Sequence, residues 1–247
     1  RLFDCLDATR SPKASALRFL FTAGAPVPVE LVHAYAERGL VLKQGYGQTE
    51  TSTLTCLAEK DAVRKAGSVG QPVFHGEVRV VPPDQIPLEP EQWQDAAERQ
   101  TGEVVVRGPI TMLRYWNQPG ETQEVLRGEW LRTTDLGQRD EEGFITLVGR
   151  ARDMYISGGE NVYPAEIEAV YETHPAIAEV AIVGIPDNRW GEVGRAHVVL
   201  RPGCRFEPEA LSAWGRDQLA GFKVPKQFTQ EKALPRTASG KVQKHRL

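Results

Sequence analysis

The sequence has few cysteines and no long apolar run. Cys5, Cys56 and Cys204 are odd in number and far apart, which suits a reducing compartment better than a disulfide framework or a zinc site. No apolar stretch approaches the ~20 residues that span a bilayer, and no signal-peptide pattern opens the chain. These absences predict a cytoplasmic protein without a transmembrane segment.

An excess of charge of one sign is also missing. Lys and Arg total 30, Asp and Glu total 33, and the formal net charge is -3. A balance so close to neutral gives no reason to expect nucleic acid, an anionic membrane or a strongly acidic partner. The chain has 247 residues, of which 40% are hydrophobic, and this is enough for a core and one to three domains.

Apolar patterning divides the chain into three parts. Residues 1–66 alternate strand and helix patterns and predict an α/β segment. Residues 67–151 carry short β-prone runs between Gly, Pro and Asp turns, which predict a small antiparallel barrel or sandwich. Residues 152–247 alternate strands and helices again, with a basic tail from Phe222 that we expect to be loop-like.

The motif GYGQTE, residues 45–50, follows a predicted strand. It fails as a dinucleotide fingerprint because Glu50 stands where the last glycine is required. Its glycines would allow a ligand to approach the backbone, and Tyr46 offers a stacking face. Thr49 supplies a hydroxyl and Glu50 a carboxylate of the kind that binds Mg²⁺. On these residues alone, a plain structural turn is an open alternative.

The C-terminal stretch LPRTASGKVQK, residues 234–244, superficially resembles a phosphate loop. Pro235 occupies the position where a Walker A motif needs its first glycine, so the motif is not a phosphate loop. Lys241 follows Ser-Gly on a predicted loop, and such a cation could neutralise a carboxylate or a phosphate. A solvated surface lysine is the alternative.

Three further segments carry candidate ligand-binding residues. Asp135 in LRTTDLG could hold the hydroxyls of a ribose, and Arg150 and Arg152 could pair with phosphate, although each could equally belong to a surface ion pair. Gly158 and Gly159 precede a helical pattern that opens at Pro164. They permit either close approach of a ligand or a left-handed turn before the helix.

These motifs occur in an order that resembles the adenylate-forming enzyme superfamily, and within it the acyl-CoA synthetases. The matching segments are GYGQTE, GEVVVRG with YWNQP, WLRTTDLG, GRARDMYISGGENVYPAEIE, GIPDNRWGE and LPRTASGK. They extend from about Leu17 to Lys244. The resemblance implies the end of a large N-terminal domain, formed by an α/β segment and a small β-barrel, followed by a small mobile α+β C-terminal domain.

The resemblance also implies roles for individual residues. Lys241 corresponds to the catalytic lysine of the first half-reaction, Glu50 to the Mg²⁺ ligand and Arg152 to the hinge between the domains. The residues matching ATP or AMP contacts are Tyr46, Gly47, Thr49, Asp135 and Arg150. Those matching coenzyme A contacts are Gly158, Gly159, Trp190 and Phe222, and those matching the wall of the acyl pocket are Ala23, Gly24 and Ala25.

The implied function is ATP-dependent activation of a carboxylic acid to acyl-AMP and its transfer to coenzyme A, with Mg²⁺; the resemblance allows a homodimer. The family's Ser/Thr/Gly-rich phosphate loop does not occur in the sequence, so we expect a fragment that is inactive in isolation. Thr134 replaces the glycine of the family's Thr-Gly-Asp. The alternatives are an adenylation domain that loads a carrier protein, an acyl-AMP ligase without coenzyme A, and a non-catalytic binding module.

Overall fold

The computed structural model describes residues 17–25, 27–238 and 240–247; Cys5 and the start of the predicted α/β segment lie outside them. By their internal contacts, these residues form two compact units. The first contains the described residues up to Gln100, with Val104–Thr133 and Gln138–Leu147. The second contains Thr101–Glu103, Thr134–Gly137 and Val148–Leu247. The predicted three-part division stays a prediction.

The first unit begins with a four-stranded sheet in the order β1-β2-β3-β4. Helix α1 connects β1 to β2, which run parallel, and the other two pairs are antiparallel. Gly39 adopts a φ of 71° just after α1, the left-handed conformation in which helices commonly end. The bounds are β1 Leu20–Thr22, α1 Val29–Ala36, β2 Leu42–Gln48, β3 Ser52–Cys56 and β4 Gln71–Pro72.

A second, five-stranded sheet has the order β5-β6-β8-β7, with β9 paired to β8. An isolated bridge between Gly70 and Ile145 links it to the region of the first sheet. The polar segment after β5 packs onto it through Trp93, whose ring lies 6.2 Å from that of Trp130. The bounds are β5 Glu77–Val81, β6 Gly102–Arg107, α2 Pro119–Val125, β7 Leu126–Arg127, β8 Trp130–Arg139 and β9 Ile145–Arg150.

The second unit is built on a third sheet in the order β11-β10-β13-β12, with β14 parallel to β13. The prediction of a loop-like tail from Phe222 was wrong for residues 227–230, because β14 satisfies its backbone groups along the free side of β13. The bounds are β10 Tyr155–Ser157, β11 Glu160–Val162, α3 Pro164–Tyr171, β12 Ile177–Asp187, β13 Gly191–Leu200, α4 Pro208–Gln218 and β14 Gln227–Gln230.

Helices α3 and α4 supply the core of the second unit. Ile167 and Tyr171 of α3 and Leu211 of α4 are buried with the side chains of β12 and β13. A Cβ at Gly215 would lie 2.0 Å from the Tyr171 hydroxyl, so the close approach of the helices requires glycine there. The mixed α/β and α+β class is therefore confirmed. Among the described residues, no helix combines the length and the apolar character needed to cross a membrane.

Candidate nucleotide and thioester site

The glycines of GYGQTE are required by the packing of the first unit itself. A Cβ at Gly47 would lie 1.8 Å from the carbonyl oxygen of Ser52, across the β2–β3 hairpin. A Cβ at Gly45 would lie 2.4 Å from Cζ of Phe21 on β1. Strand packing therefore explains both glycines without a ligand, and contact between Gly47 and a nucleotide stays a prediction.

The side chains of this motif differ in their access to solvent. Tyr46 is only 7% exposed and packs with Leu54 and Val78 in a hydrophobic cluster. Thr49 is exposed. Thr51 is fully buried, and its hydroxyl accepts a hydrogen bond from the Gln48 backbone N–H at 3.0 Å. The hydroxyl of Thr49 is thus accessible to a ligand, whereas the Tyr46 ring is already part of the core.

Glu50 is held by a residue whose role was not predicted. The Tyr115 hydroxyl donates a hydrogen bond to Oε1 of Glu50 at 2.8 Å, and the Met112 N–H donates to the Glu50 carbonyl oxygen at 2.7 Å. Burial, followed by the hydrogen bond to Glu50, raises the pKa of Tyr115 to about 12, so its proton stays on the tyrosine at neutral pH. Tyr115 therefore orients the Glu50 carboxylate, as partners of metal-binding carboxylates do.

The predicted acyl-pocket segment follows β1. Ala23, Gly24 and Ala25 are exposed, and Gly24 adopts a φ of 88°. Thr22, at the end of β1, is in register with Gln44 of β2, and residues 45–48 of the GYGQTE motif continue β2 beyond this pair. Both predicted regions therefore follow the same end of the β1–β2 pairing.

Asp135 and Arg150 lie together in the second unit. The Nε atom of Arg150 is 3.3 Å from Oδ1 of Asp135, whose side chain is 10% exposed while that of Arg150 is 41% exposed. Thr134, in the position of the family's glycine, has a φ of 59° and donates its N–H to Oε1 of Glu103 at 3.3 Å. A β-branched residue is strained in this conformation, which explains why glycine suits the position.

Gly158 and Gly159 form the turn of the β10–β11 hairpin. Ser157 pairs with Glu160, so the two glycines are the whole loop, and their φ angles of 62° and 90° match a type I′ turn. The sequence predicted a joint between a strand and a helix, but Pro164 starts α3 only after β11 is complete. The left-handed alternative for the glycines is thus borne out; a contact with coenzyme A stays a prediction.

Trp190 packs against this turn. The Gly158 N–H donates to the Trp190 carbonyl oxygen at 2.8 Å, and a Cβ at Gly158 would lie 2.9 Å from the indole ring. By contrast, nothing lies within 4 Å of a Cβ at Gly159. The Arg189 guanidinium lies 4.7 Å from the centre of the Trp190 ring, which is 41% exposed. Two of the predicted coenzyme A residues are therefore neighbours on an exposed surface.

Phe222 lies in the turn between α4 and β14 and is 37% exposed. The adjacent Lys223 donates its backbone N–H to the Ala220 carbonyl oxygen at 2.9 Å and forms an ion pair with Glu166 of α3 at 2.6 Å. Phe222 is therefore an exposed aromatic side chain on a turn attached to α3.

Lys241 is exposed on a tight hairpin near the C-terminus. Thr237 and Lys241 exchange hydrogen bonds, from the Thr237 N–H to the Lys241 carbonyl oxygen at 2.8 Å and from the Lys241 N–H to the Thr237 hydroxyl at 3.1 Å. Arg236 and Val242 form a bridge below them. Within the part of the chain that the structure describes, the Lys241 ammonium has no carboxylate partner. These hydrogen bonds hold Thr237 and Lys241 together, and Lys241 is exposed to solvent.

Arg152 is in a 3-10 turn, Ala151–Asp153, directly after β9. Its side chain is 70% exposed, and Nε lies 3.8 Å from Oδ1 of Asp153. Most of the Arg152 side chain is therefore in contact with solvent. The hinge assignment stays a prediction.

In the described ranges, no group of three or more His, Cys, Asp and Glu side chains could hold a metal ion. A single carboxylate is nevertheless enough for Mg²⁺ bound mainly by nucleotide phosphates and water. Glu50, with Oε1 occupied by Tyr115, fits that simpler arrangement.

Comparison with known sequences identifies the class. Residues 2–116 match the AMP-binding enzyme family, and residues 166–241 match the AMP-binding enzyme C-terminal domain. The two matches together cover more than half of the chain. The chain therefore belongs to the AMP-binding enzymes, the adenylate-forming superfamily that its motifs resemble.

Similar curated proteins include CoA synthases and CoA ligases. A feruloyl-CoA synthase of Amycolatopsis sp is 43% identical over 95% of this chain and 46% of that protein. A long-chain-fatty-acid–CoA ligase of Mycobacterium tuberculosis is 39% identical over 94% of this chain and 44% of that protein. The chain thus spans about half the length of the curated relatives it matches.

A solved structure supports the same family. The o-succinylbenzoate CoA synthetase of Bacillus subtilis, in complex with the acyl-adenylate intermediate, matches with a TM-score of 0.85 and 34% identity, over 98% of this chain and 48% of that one. Its complex with ATP and magnesium ion gives a TM-score of 0.83, with the same identity and coverage. The predicted fold is confirmed by this likeness.

Proposed function

We propose that this chain is part of an AMP-forming acyl-CoA synthetase. In the first half-reaction a substrate carboxylate oxygen attacks the α-phosphorus of ATP; a P–O bond forms and the bond to pyrophosphate breaks. In the second, the sulfur of coenzyme A attacks the acyl carbon, AMP leaves, and the thiol proton passes to solvent. The products are acyl-CoA, AMP and pyrophosphate.

One observation carries the proposal. The Lys241 ammonium stands on a loop whose backbone is fixed by Thr237, and no described carboxylate neutralises it. A cation held in this way is suited to stabilise the negative charge that accumulates as the α-phosphate is attacked. Asp135 and Thr49 would bind the ribose and the phosphates, and Glu50 would hold the Mg²⁺ that ATP carries.

Coenzyme A is the acceptor that the second unit supports best. The exposed Trp190 ring, packed on the two-glycine turn, offers an apolar face beside a backbone without side chains. Arg189 places a positive charge next to it, suited to the phosphates of coenzyme A. The relatives that are CoA ligases support the same acceptor.

The test is an assay of the full gene product with ATP, Mg²⁺, coenzyme A and a panel of aromatic and fatty acids. The proposal expects acid-dependent release of pyrophosphate and formation of acyl-CoA. Transfer to a phosphopantetheinyl carrier protein but not to free coenzyme A would favour the carrier-loading alternative. Pyrophosphate release without either thioester would favour an acyl-AMP ligase, and the absence of nucleotide binding would contradict all three.

Location and assembly are further parts of the proposal. Cys56 and Cys204 are free thiols, which suits a reducing cytoplasm. A homodimer is tested by measuring the mass of the full gene product in solution.

A further inference from the structure

Helix α3 carries two glutamates that hold different segments of the second unit. Glu166 and Glu168 are two residues apart, and residues with this spacing point to different sides of an α-helix. Glu166 forms an ion pair with Lys223, beside Phe222. Glu168 forms an ion pair with Lys244, beyond Lys241. One short helix thus contacts both the proposed coenzyme A turn and the proposed catalytic-lysine segment.

The contact of Glu168 is well shielded. Its carboxylate lies 2.6 Å from Nζ of Lys244, and the two side chains are 17% and 20% exposed. The same Oε1 atom accepts a hydrogen bond from the Ile182 N–H of β12 at 2.6 Å. The carboxylate therefore joins α3, β12 and the C-terminal segment, and ion pairs with so little solvent are screened less than surface pairs.

The Lys241 hairpin is also fixed before the lysine. Arg236 forms an ion pair with Glu179 of β12 at 2.6 Å, with both side chains 42% exposed. Lys241 therefore lies between two anchors, Arg236 on one side and Lys244 on the other. Loss of the more buried anchor, Lys244–Glu168, would leave the ammonium attached to the unit through one end of its loop.

The contact of Glu166 restrains a different loop. Lys223 donates hydrogen bonds to both carboxylate oxygens of Glu166, at 2.6 and 2.9 Å. Lys223 directly follows Phe222, so the ion pair fixes the turn that presents the Phe222 ring. Glu166 is more exposed than Glu168, with 45% of its side chain accessible, so we expect it to contribute less.

We propose that Glu168 is a positioning residue for adenylation and that Glu166 is a positioning residue for thioester formation. The inference rests on the proposed function, because it assigns one half-reaction to the Lys241 segment and the other to the Phe222 turn. Neither glutamate contacts a reacting atom in this account; each acts through the lysine that it binds. Helix α3 is then a shared support for two separate chemical steps.

The test compares Glu168→Gln and Glu166→Gln in the full gene product, with each half-reaction measured alone. Pyrophosphate release in a single turnover reports adenylation, and acyl-CoA formation from preformed acyl-adenylate reports the second step. We expect Glu168→Gln to slow adenylation about 10-fold, because it removes a charge-assisted contact, and to leave the second step within about 2-fold. Glu166→Gln should slow only the second step, by about 3-fold.

Partner and control variants separate positioning from folding. Gln at position 168 can still accept the Ile182 hydrogen bond, so the thermal unfolding temperature of Glu168→Gln should change little. Lys244→Gln should slow adenylation as Glu168→Gln does. Lys223→Gln should slow the second step as Glu166→Gln does. Glu209→Gln, an exposed glutamate of α4, is the matched control and should change neither step. Equal losses in both steps, or losses that follow unfolding temperature alone, would overturn the inference. Absence of both half-reactions in the unmodified protein would instead contradict the proposed function.

Discussion

Arg236 donates a hydrogen bond from Nη1 to the carbonyl oxygen of Gly240 at 2.6 Å, while its Nη2 atom lies 2.6 Å from Oε2 of Glu179. A single guanidinium therefore ties the residue before Lys241 to strand β12. The planar fork of arginine reaches both acceptors at once, and a lysine ammonium could not reproduce that geometry.

We predict that Arg236→Gln slows adenylation about 5-fold, because the loop loses its link to β12 while the fold is kept. Arg236→Lys should recover only part of the rate. The measurement is single-turnover pyrophosphate release. Arg205→Gln, another exposed arginine of the second unit, serves as the control and should leave the rate unchanged. Full activity of Arg236→Gln would show that the hairpin needs no such link.

Thr134→Gly should stabilise the protein. Thr134 has a φ of 59°, a conformation that costs an L-residue about 1–2 kcal/mol and glycine almost nothing. Glycine also gives the unfolded chain more conformational entropy, which offsets part of this gain. We therefore expect the free energy of unfolding, measured in urea, to rise by about 0.5–1 kcal/mol. Thr53→Gly, in strand β3 with a negative φ, is the control and should lower stability. A loss of stability in both variants would show that interactions of the Thr134 side chain stabilise the fold by more than its backbone conformation costs.

The glycine turn gives a prediction with an internal control. Gly158→Ala, Gly159→Ala and Gly203→Ala all place alanine at positive φ, where each should lose about 1 kcal/mol of stability. Only alanine at position 158 collides with the Trp190 ring, at 2.9 Å. We therefore expect Gly158→Ala to raise the KM for coenzyme A beyond either other variant. Equal KM values for all three variants would show that the position of the Trp190 ring does not affect coenzyme A binding.

Acid should weaken a cluster of ion pairs in the first unit. Lys65 lies 2.6 Å from both Asp140 and Glu142. Burial raises the pKa of Asp140, but hydrogen bonds from Lys65 and the backbone lower it by more, and hydrogen bonds from Lys65 and Arg64 lower the pKa of Glu142. Because the folded-state values are lowered, the stabilisation is complete above the ordinary values of 3.8 and 4.5 and is lost as pH falls below them.

In Lys65→Gln, the unfolding temperature should therefore fall less than in the unmodified protein as the pH is lowered from about 5 to about 3. Lys60→Gln removes an exposed lysine nearby and should preserve the slope of the unmodified protein. The measurement is thermal unfolding across this pH range for all three proteins. Identical slopes would exclude Lys65 as the source of the acid sensitivity.

The sequence predicted the elements with strong local signals. The alternation of strand and helix predicted in residues 1–66 is seen in β1, α1 and β2, and the motif order identified the family. Strand β14 was missed because QFTQ has little apolar alternation and is a strand only through its pairing with β13. The hairpin at Gly158 was likewise set by pairing that two glycines alone do not reveal.

The candidate residues were found from their chemistry and from the family resemblance, but the residues that hold them in place were not. Tyr115 was present in the YWNQP segment and Glu168 at the end of the long motif, yet their partners are 65 and 76 residues away in the chain. Sequence spacing does not encode contacts of this range. The packing of the Tyr46 ring with side chains of β3 and β5 is likewise a contact that sequence spacing does not encode; its contact with a nucleotide stays a prediction.

The most direct test of the account is Lys241→Ala in the full gene product. Because the ammonium would stabilise charge only while the α-phosphate is attacked, we predict that adenylation falls by about 10²-fold or more. Thioester formation from preformed acyl-adenylate should stay within about 3-fold of the unmodified protein. Pyrophosphate exchange at an unchanged rate would contradict the assignment of Lys241 to adenylation. It would also contradict the proposal that the Lys241 segment and the Phe222 turn serve different half-reactions.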